Sequence, residues 1–288
     1  MDQERRSQIE KALRQYRETV YQHNVHLLHV LVETLEALPE QVQNQSRLHT
    51  LAREIMWEPL PESVKEPRDI LNETVLSSSW LDGVYPGPVD PRREEYFAGL
   101  RTRIAETNIA MPELVPADLE YICTLVNAIT GAGLPYYNLI NGVEFISSLE
   151  DHDMEDMMDS VEVQVRDVDG TVPLEELTAL TFFWEDWDIA VSFKIGTGEH
   201  DSGSYVIYCK NDEAGWKWRY GIRDCDWTSE LYDTVEEFLG FYAHFNQWSE
   251  EELIEKVLRR SVPQGFSKDE IKGKILSLIS SRLSTLTL

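Results

Sequence analysis

Positive charge is scarce in this chain of 288 residues: 26 lysines and arginines stand against 52 aspartates and glutamates, a formal net charge of −26. The deficit is local. Residues 111–248 carry 28 of the acids and only 6 of the bases, whereas 1–60, 61–110 and 249–288 stay near neutral at −2, −3 and +1. Nucleic acids and anionic membranes are bound largely through clustered cations that displace counterions, so a block of net charge −22 argues against both as partners. Long apolar runs are missing too. The longest, around Leu27–Val32 and Leu180–Trp184, fall far short of the roughly 20 residues that a membrane span needs. Met1–Arg17 alternates charge and has neither an apolar h-region nor a small-residue cleavage site, so no secretion signal is expected. Three widely spaced cysteines (Cys123, Cys209 and Cys225) predict reduced core thiols, and a cytoplasmic location is expected. The sequons at Asn44–Ser46 and Asn72–Thr74 should then carry no glycan.

Phosphate-cradling glycine loops, a nucleophile elbow and zinc-binding cysteine pairs are all absent. What is present is enough apolar side chain for a folded core, 42% of residues with 10% aromatics. Over Gln8–Leu38 the apolar residues Ile9, Leu13, Tyr16, Val20, Leu27, Leu31 and Leu35 recur at helical spacing, with Pro39 as the stop. A second helix is expected over Ser46–Met56, making an antiparallel helical pair with the first. Six of the twelve prolines then fall in 59–92, which reads as a connector pinned to the surface by Trp80 and Tyr85. A helix over 91–105 leads into the acidic block.

Pro116 opens a helix that reaches Asn127, and Gly131 and Gly133 break it. The period then changes to two. Val143–Ile146, Val161–Val168, Ile189–Ile195, Tyr205–Lys210 and Trp216–Ile222 read as strands, the last three joined by turns at Gly196–Gly203 and Asn211–Gly215. Helical spacing returns over Thr234–Gln247, and Ser249 followed by three glutamates is a helix N-cap. Two short helices should close the chain. With strands grouped rather than alternating with crossover helices, the fold class is α+β: an antiparallel meander flanked by helices, with an N-terminal helical extension. The expected parts are an N-terminal helical region (1–58), a proline-rich connector and helix (59–110), an acidic α+β domain (111–248) and a C-terminal helical tail (249–288).

Two clusters invite a metal reading, and neither sustains it. From Asp151 to Glu162, carboxylates occupy positions 1, 3, 5, 9 and 12 of an EF-hand-like loop, but position 6 is Asp156 where the turn demands glycine. His23, His26 and His29 lie three apart on one helix without a cysteine or carboxylate among them. No metal or other cofactor is therefore expected. The aromatic residues are more informative. In Trp216-Lys217-Trp218-Arg219-Tyr220 alternation puts Trp216, Trp218 and Tyr220 on one sheet face and Lys217 and Arg219 on the other. That face is either core against the Thr234–Gln247 helix or, where exposed, a protein-binding surface with an acidic rim. The candidate partner-binding residues are Trp184, Asp186, Trp187 and Asp188, Asp151, Asp153, Glu155 and Asp156, with Trp216 and Trp218.

The helix around Leu114-Val-Pro-Ala-Asp-Leu119, the turn before Tyr205-Val-Ile-Tyr-Cys209 and the closing Thr234-Val-Glu-Glu-Phe-Leu239 helix give residues 112–246 an order of pieces that resembles the SUKH superfamily. That group contains the yeast Smi/Knr-type cell-wall-synthesis regulators and many bacterial toxin-immunity proteins. Relative to it, Asn127 is followed by Ala128 rather than glycine, and 150–176 is an insertion. The resemblance implies a non-enzymatic binding module. The expectation is a regulatory or interaction protein whose acidic surface takes a partner with a basic surface. Homo-oligomerisation through the N-terminal helices is a further possibility. The alternative is an enzyme with a Trp-lined carboxylate site, for which Asp186/Asp188, Glu175/Glu176 and Glu144 are the candidates and a deep pocket the requirement.

Overall fold

The computed structural model describes residues 1–56, 59–76, 81–85, 89–136, 142–149, 162–163, 184–198, 202–225, 227–245, 247–262 and 266–286. Its helices are α1 (Gln3–Glu36), α2 (Asn44–Glu54), α3 (Glu73–Leu76), α4 (Arg93–Glu106), α5 (Ala117–Leu125), α6 (Val235–Tyr242), α7 (Glu250–Ser261) and α8 (Lys268–Leu286), with a 3-10 turn at Pro67–Leu71. The strands β1 (Glu162–Val163), β2 (Asp188–Thr197), β3 (Gly203–Lys210), β4 (Lys217–Asp224) and β5 (Trp227–Thr228) form one sheet in sequence order, antiparallel throughout. The fold is therefore α+β, built on a meander. The chain divides into two compact units: Met1–Glu18, Gly83–Gly131 and Asn141–Phe245 in the first, Thr19–Asp82, Ala132–Ile140 and Asn246–Leu288 in the second.

In the first unit the two sheet faces follow from the pleat. Tyr208 pairs with Trp218 and Val206 with Tyr220, so these four share a face, while Tyr205, Ile207 and Cys209 point the other way. Trp218 and Tyr220 are buried, and Tyr220 lies 6.1 Å from Phe238 of α6, so this part of the aromatic row is core. Trp216 is not. It precedes β4 and is 38% exposed. Phe145 joins the same core, with Phe238 at 4.5 Å and Tyr220 edge-on at 6.2 Å. Three elements distant in sequence are tied by Arg5 of α1, whose guanidinium binds both Asp118 of α5 and Glu236 of α6. Tyr16 closes the unit: it stacks on Tyr242 at 6.0 Å, donates to the Gly83 carbonyl (3.2 Å) and accepts from the Gly131 amide (3.0 Å).

Several expectations are revised in detail. Val143–Ile146 is not a regular strand; it lies along the edge of β2, where the Glu144 and Ser147 amides donate to the Thr197 and Ile195 carbonyls (2.8 and 3.1 Å) and Ile146 bridges to Ile129. Helix α5 stops at Leu125 because Val126 adopts an extended backbone (φ −141°, ψ 150°). The last helix is not short, running 19 residues. Cys123 and Cys209 are buried free thiols as expected, but Cys225 is exposed, in the turn between β4 and β5, with φ +49°. Trp80, most of the expected strand over 161–168, and the acidic cluster containing Asp151, Asp153, Glu155 and Asp156 lie outside the described residues.

The second unit is helical around one apolar cluster. Leu27, Leu31 and Leu35 of α1 meet Leu51 and Ile55 of the α2 region, Ile70 and Leu81 of the connector, Leu253, Ile254 and Val257 of α7, and Ile271 and Ile275 of α8. Burying each such side chain contributes roughly 1.5–3 kcal/mol, which offsets the ordering of a connector that has little regular structure. The buried Asn24 side chain is satisfied. Asn24 donates to the Leu81 carbonyl (2.9 Å) and accepts from the Gly133 amide (2.8 Å). Helix α7 begins with a complete capping box, Ser249 and Glu252 each accepting the other's backbone N–H.

Candidate binding edge of the sheet

One end of the meander gathers most of the described candidate residues. β2 begins at Asp188, opposite Lys210 at the end of β3, and Cys209 is opposite Lys217 at the start of β4. The hairpin at Asn211–Gly215 projects from this same end, while the turn at Trp184–Trp187 leads into β2 and packs on the Tyr205, Ile207 and Cys209 face, Trp184 against Tyr205 at 6.3 Å. The hairpin is held by an Asx turn, the Asn211 side-chain oxygen accepting from the Glu213 and Ala214 amides (3.1 and 2.7 Å). Glu185, Asp186 and Asp188 at the start of β2, and Asp212, Glu213 and Trp216 at the hairpin, are all exposed.

The four tryptophans there divide into two roles. Trp184 and Trp218 are structural: each is buried, and their indole N–H groups donate to the Ser229 and Glu113 carbonyls (2.9 and 3.0 Å). Neither is available to a partner. Trp216 is exposed, stacked on Tyr208 at 5.5 Å with the Lys210 ammonium 5.4 Å above its ring. Trp187 is half-buried and forms a platform for Arg219, whose guanidinium carbon lies 4.4 Å from the ring centre.

Arg219 is the residue that sequence reasoning missed. Alternation puts it on the face opposite Trp218, but nothing in the pattern says that the side chain is almost fully buried, at 1% exposure. It is satisfied by Asp233 (2.8 Å) and by the Cys209 carbonyl (2.7 Å). The other Asp233 oxygen takes Lys217 at 2.6 Å. Burial pushes the Asp233 carboxyl up, but the Lys217 hydrogen bond and the charges of Arg219 and Lys217 outweigh it, leaving the group below its ordinary value. The Cys209 thiol, desolvated beside this cluster, is pushed up to about 11 despite Arg219.

Lys217, Trp218, Tyr220 and Asp233 also line a cleft of about 450 Å³, closed on its other side by Met1, Arg5, Pro116 and Asp118. Its carboxylates are engaged: Asp118 by Arg5 (3.1 Å), Asp233 by Lys217 and Arg219, and Glu113 by the Ala117 amide (3.3 Å). Among the described residues, the carboxylates named for an enzymatic site do not line this cleft. Glu144 accepts from the Ser147 hydroxyl beside Thr197, at the far end of β2 from Asp188, and a strand of ten residues spans about 30 Å. Glu175 and Glu176 lie outside the described residues. Among the candidate metal ligands, His26 pairs with Glu250 at 2.8 Å.

No protein-family model matches this chain, and no curated protein or solved structure matches it.

Proposed function

We propose that this protein is a non-enzymatic interaction or regulatory module that binds a protein partner with a basic surface through the open end of its sheet. The reading rests above all on the composition of the segments at that end, where Glu185, Asp186, Asp188, Asp212, Glu213 and the indole of Trp216 are all exposed. An exposed aromatic anchor accompanied by exposed carboxylates suits an interface with a desolvated contact and electrostatic selection of the partner. The order of elements within 112–246, helix, meander, helix, is also the one on which the resemblance to the SUKH superfamily rests, and a binding role is what that resemblance implies. Catalysis by a carboxyl acid is disfavoured at this end, since Asp233 is held ionised by two cations rather than protonated.

The test is an affinity pull-down with mass spectrometry using the wild type and a Trp216→Ala, Asp186→Asn, Asp188→Asn variant. A partner captured by the wild type and lost by the variant, with unchanged circular dichroism, is the expected result. Equal capture by both proteins would overturn the assignment of this end as the binding surface.

A further inference from the structure

The second unit holds a cleft of about 680 Å³ whose lining is opposite in character to the rest of the chain. It runs along α2, from the N-cap residue Gln43 to Arg53 in the last turn, and reaches the last turn of α7. Acids make up 52 of the 288 residues, yet among the described residues none lines this cleft; two arginines, Arg53 and Arg260, and His49 do, with the remainder almost entirely amide and hydroxyl side chains such as Gln43, Ser46 and Thr50.

The arginines are fixed from behind. Glu54 is buried at 1% exposure and binds Arg53 (3.1 Å), Lys256 (3.1 Å) and Arg260 (3.5 Å). The Tyr136 ring carries the same three cations at 5.5, 5.0 and 5.7 Å. One carboxylate and one aromatic ring thus hold two guanidinium groups whose outer edges remain at the cleft, 30% and 39% exposed. The buried Nε of Arg53 has no hydrogen-bond partner among the described residues. The cleft wall at 41–43 is fixed as well, because Arg47 donates to the Leu38, Pro39 and Val42 carbonyls (2.9, 3.1 and 3.3 Å).

We infer that this cleft binds a small phosphate monoester bearing hydroxyl groups, its phosphoryl group on Arg53 and Arg260. Paired guanidinium forks match phosphoryl oxygens, and their preorganisation by Glu54 and Tyr136 lowers the ordering cost of binding. The volume is that of a small-molecule site rather than of a bare ion, and the glutamine, serine and threonine side chains supply donors and acceptors for ligand hydroxyls.

Thermal-shift and calorimetric titrations of the full chain with glucose 6-phosphate, ribose 5-phosphate, the parent sugars and inorganic phosphate test this. A sugar phosphate should raise Tm and bind, the parent sugars should not, and Arg260→Gln should weaken binding about tenfold or more. Arg260 is a half-exposed side chain, so its variant carries the test even where Arg53→Gln fails to fold. The inference is overturned if neither sugar phosphate binds at millimolar concentration, if inorganic phosphate binds as tightly as the esters, or if Arg260→Gln binds like the wild type.

Discussion

At the scale of single residues, burial decides reactivity. Cys123 and Cys209 are buried, and desolvation pushes both thiols up to about 11, which leaves almost no thiolate at neutral pH. Cys225 alone is exposed. A native titration with a thiol-specific disulfide reagent should count one fast thiol, and a denatured titration all three; two fast thiols in the native protein would mean that a buried cysteine is reached by local opening. Asp233 offers the complementary test. Its folded pKa lies below the ordinary value, so it stabilises the fold above the unfolded pKa of about 4 and loses that contribution as pH falls through the folded value. Asp233→Asn should lower Tm at pH 7 and flatten its decline below about pH 4. A variant whose acid limb is superimposable on that of the wild type would mean that Lys217 and Arg219 draw nothing from the pair. Arg219 shows why this network was not legible beforehand: alternation names a side chain's face, but what covers that face comes from residues elsewhere in the sequence.

At the scale of elements, local signals carried furthest where the chain itself satisfies the chemistry. The two-residue period over Tyr205–Lys210 and Trp216–Ile222 found the meander, and Ser249 with Glu252 marked the start of α7 to the residue. Ser249→Ala should therefore cost about 1 kcal/mol, read as a lowered urea midpoint with an unchanged slope. Where an element depends on a distant neighbour, the sequence was mute. The segment around Glu144 reads as a strand by its apolar residues, yet its shape is set by its hydrogen bonds along the edge of β2. Gly196 permits that close approach: a Cβ there would come within 2.0 Å of the Glu144 carbonyl oxygen, a backbone atom that cannot rotate away. It also sits at a register shift between β2 and β3, where the ladder already departs from regular pairing. Gly196→Ala should destabilise by about 3 kcal/mol or more and loosen the 142–149 segment, seen as faster hydrogen exchange at Glu144 and Ser147. Exchange unchanged at those two amides would show that the close approach tolerates a methyl group. The same dependence on distant partners explains the tryptophans. Trp216 and Trp218 share a pattern, but only Trp218 lies within the strand that α6 and the Glu113 carbonyl help to cover.

At the scale of the whole molecule, charge segregation sets how a partner would be found. With −22 on residues 111–248, an interface on the open sheet end brings several carboxylates together, and only a complementary basic surface offsets their repulsion. Such steering raises the encounter rate rather than the lifetime of the complex, and charges more than about 8 Å apart are screened at physiological salt. The association rate should therefore fall steeply as salt rises while the dissociation rate changes little. Replacing Asp186, Asp188, Asp212 and Glu213 with Asn or Gln should reduce that salt slope. Stability should hold, since all four are exposed and the ion pair of Asp188 with Lys210 at 3.4 Å is a surface contact. Trp216→Ala should act on the other rate, speeding dissociation with little change in the salt slope, because an anchor contributes after encounter. Stopped-flow or biosensor kinetics with the partner recovered by pull-down separate the two effects. An on-rate indifferent to salt, or unaltered by the four substitutions, would mean that the acidic block serves solubility and that binding lies on the helices at 8–56.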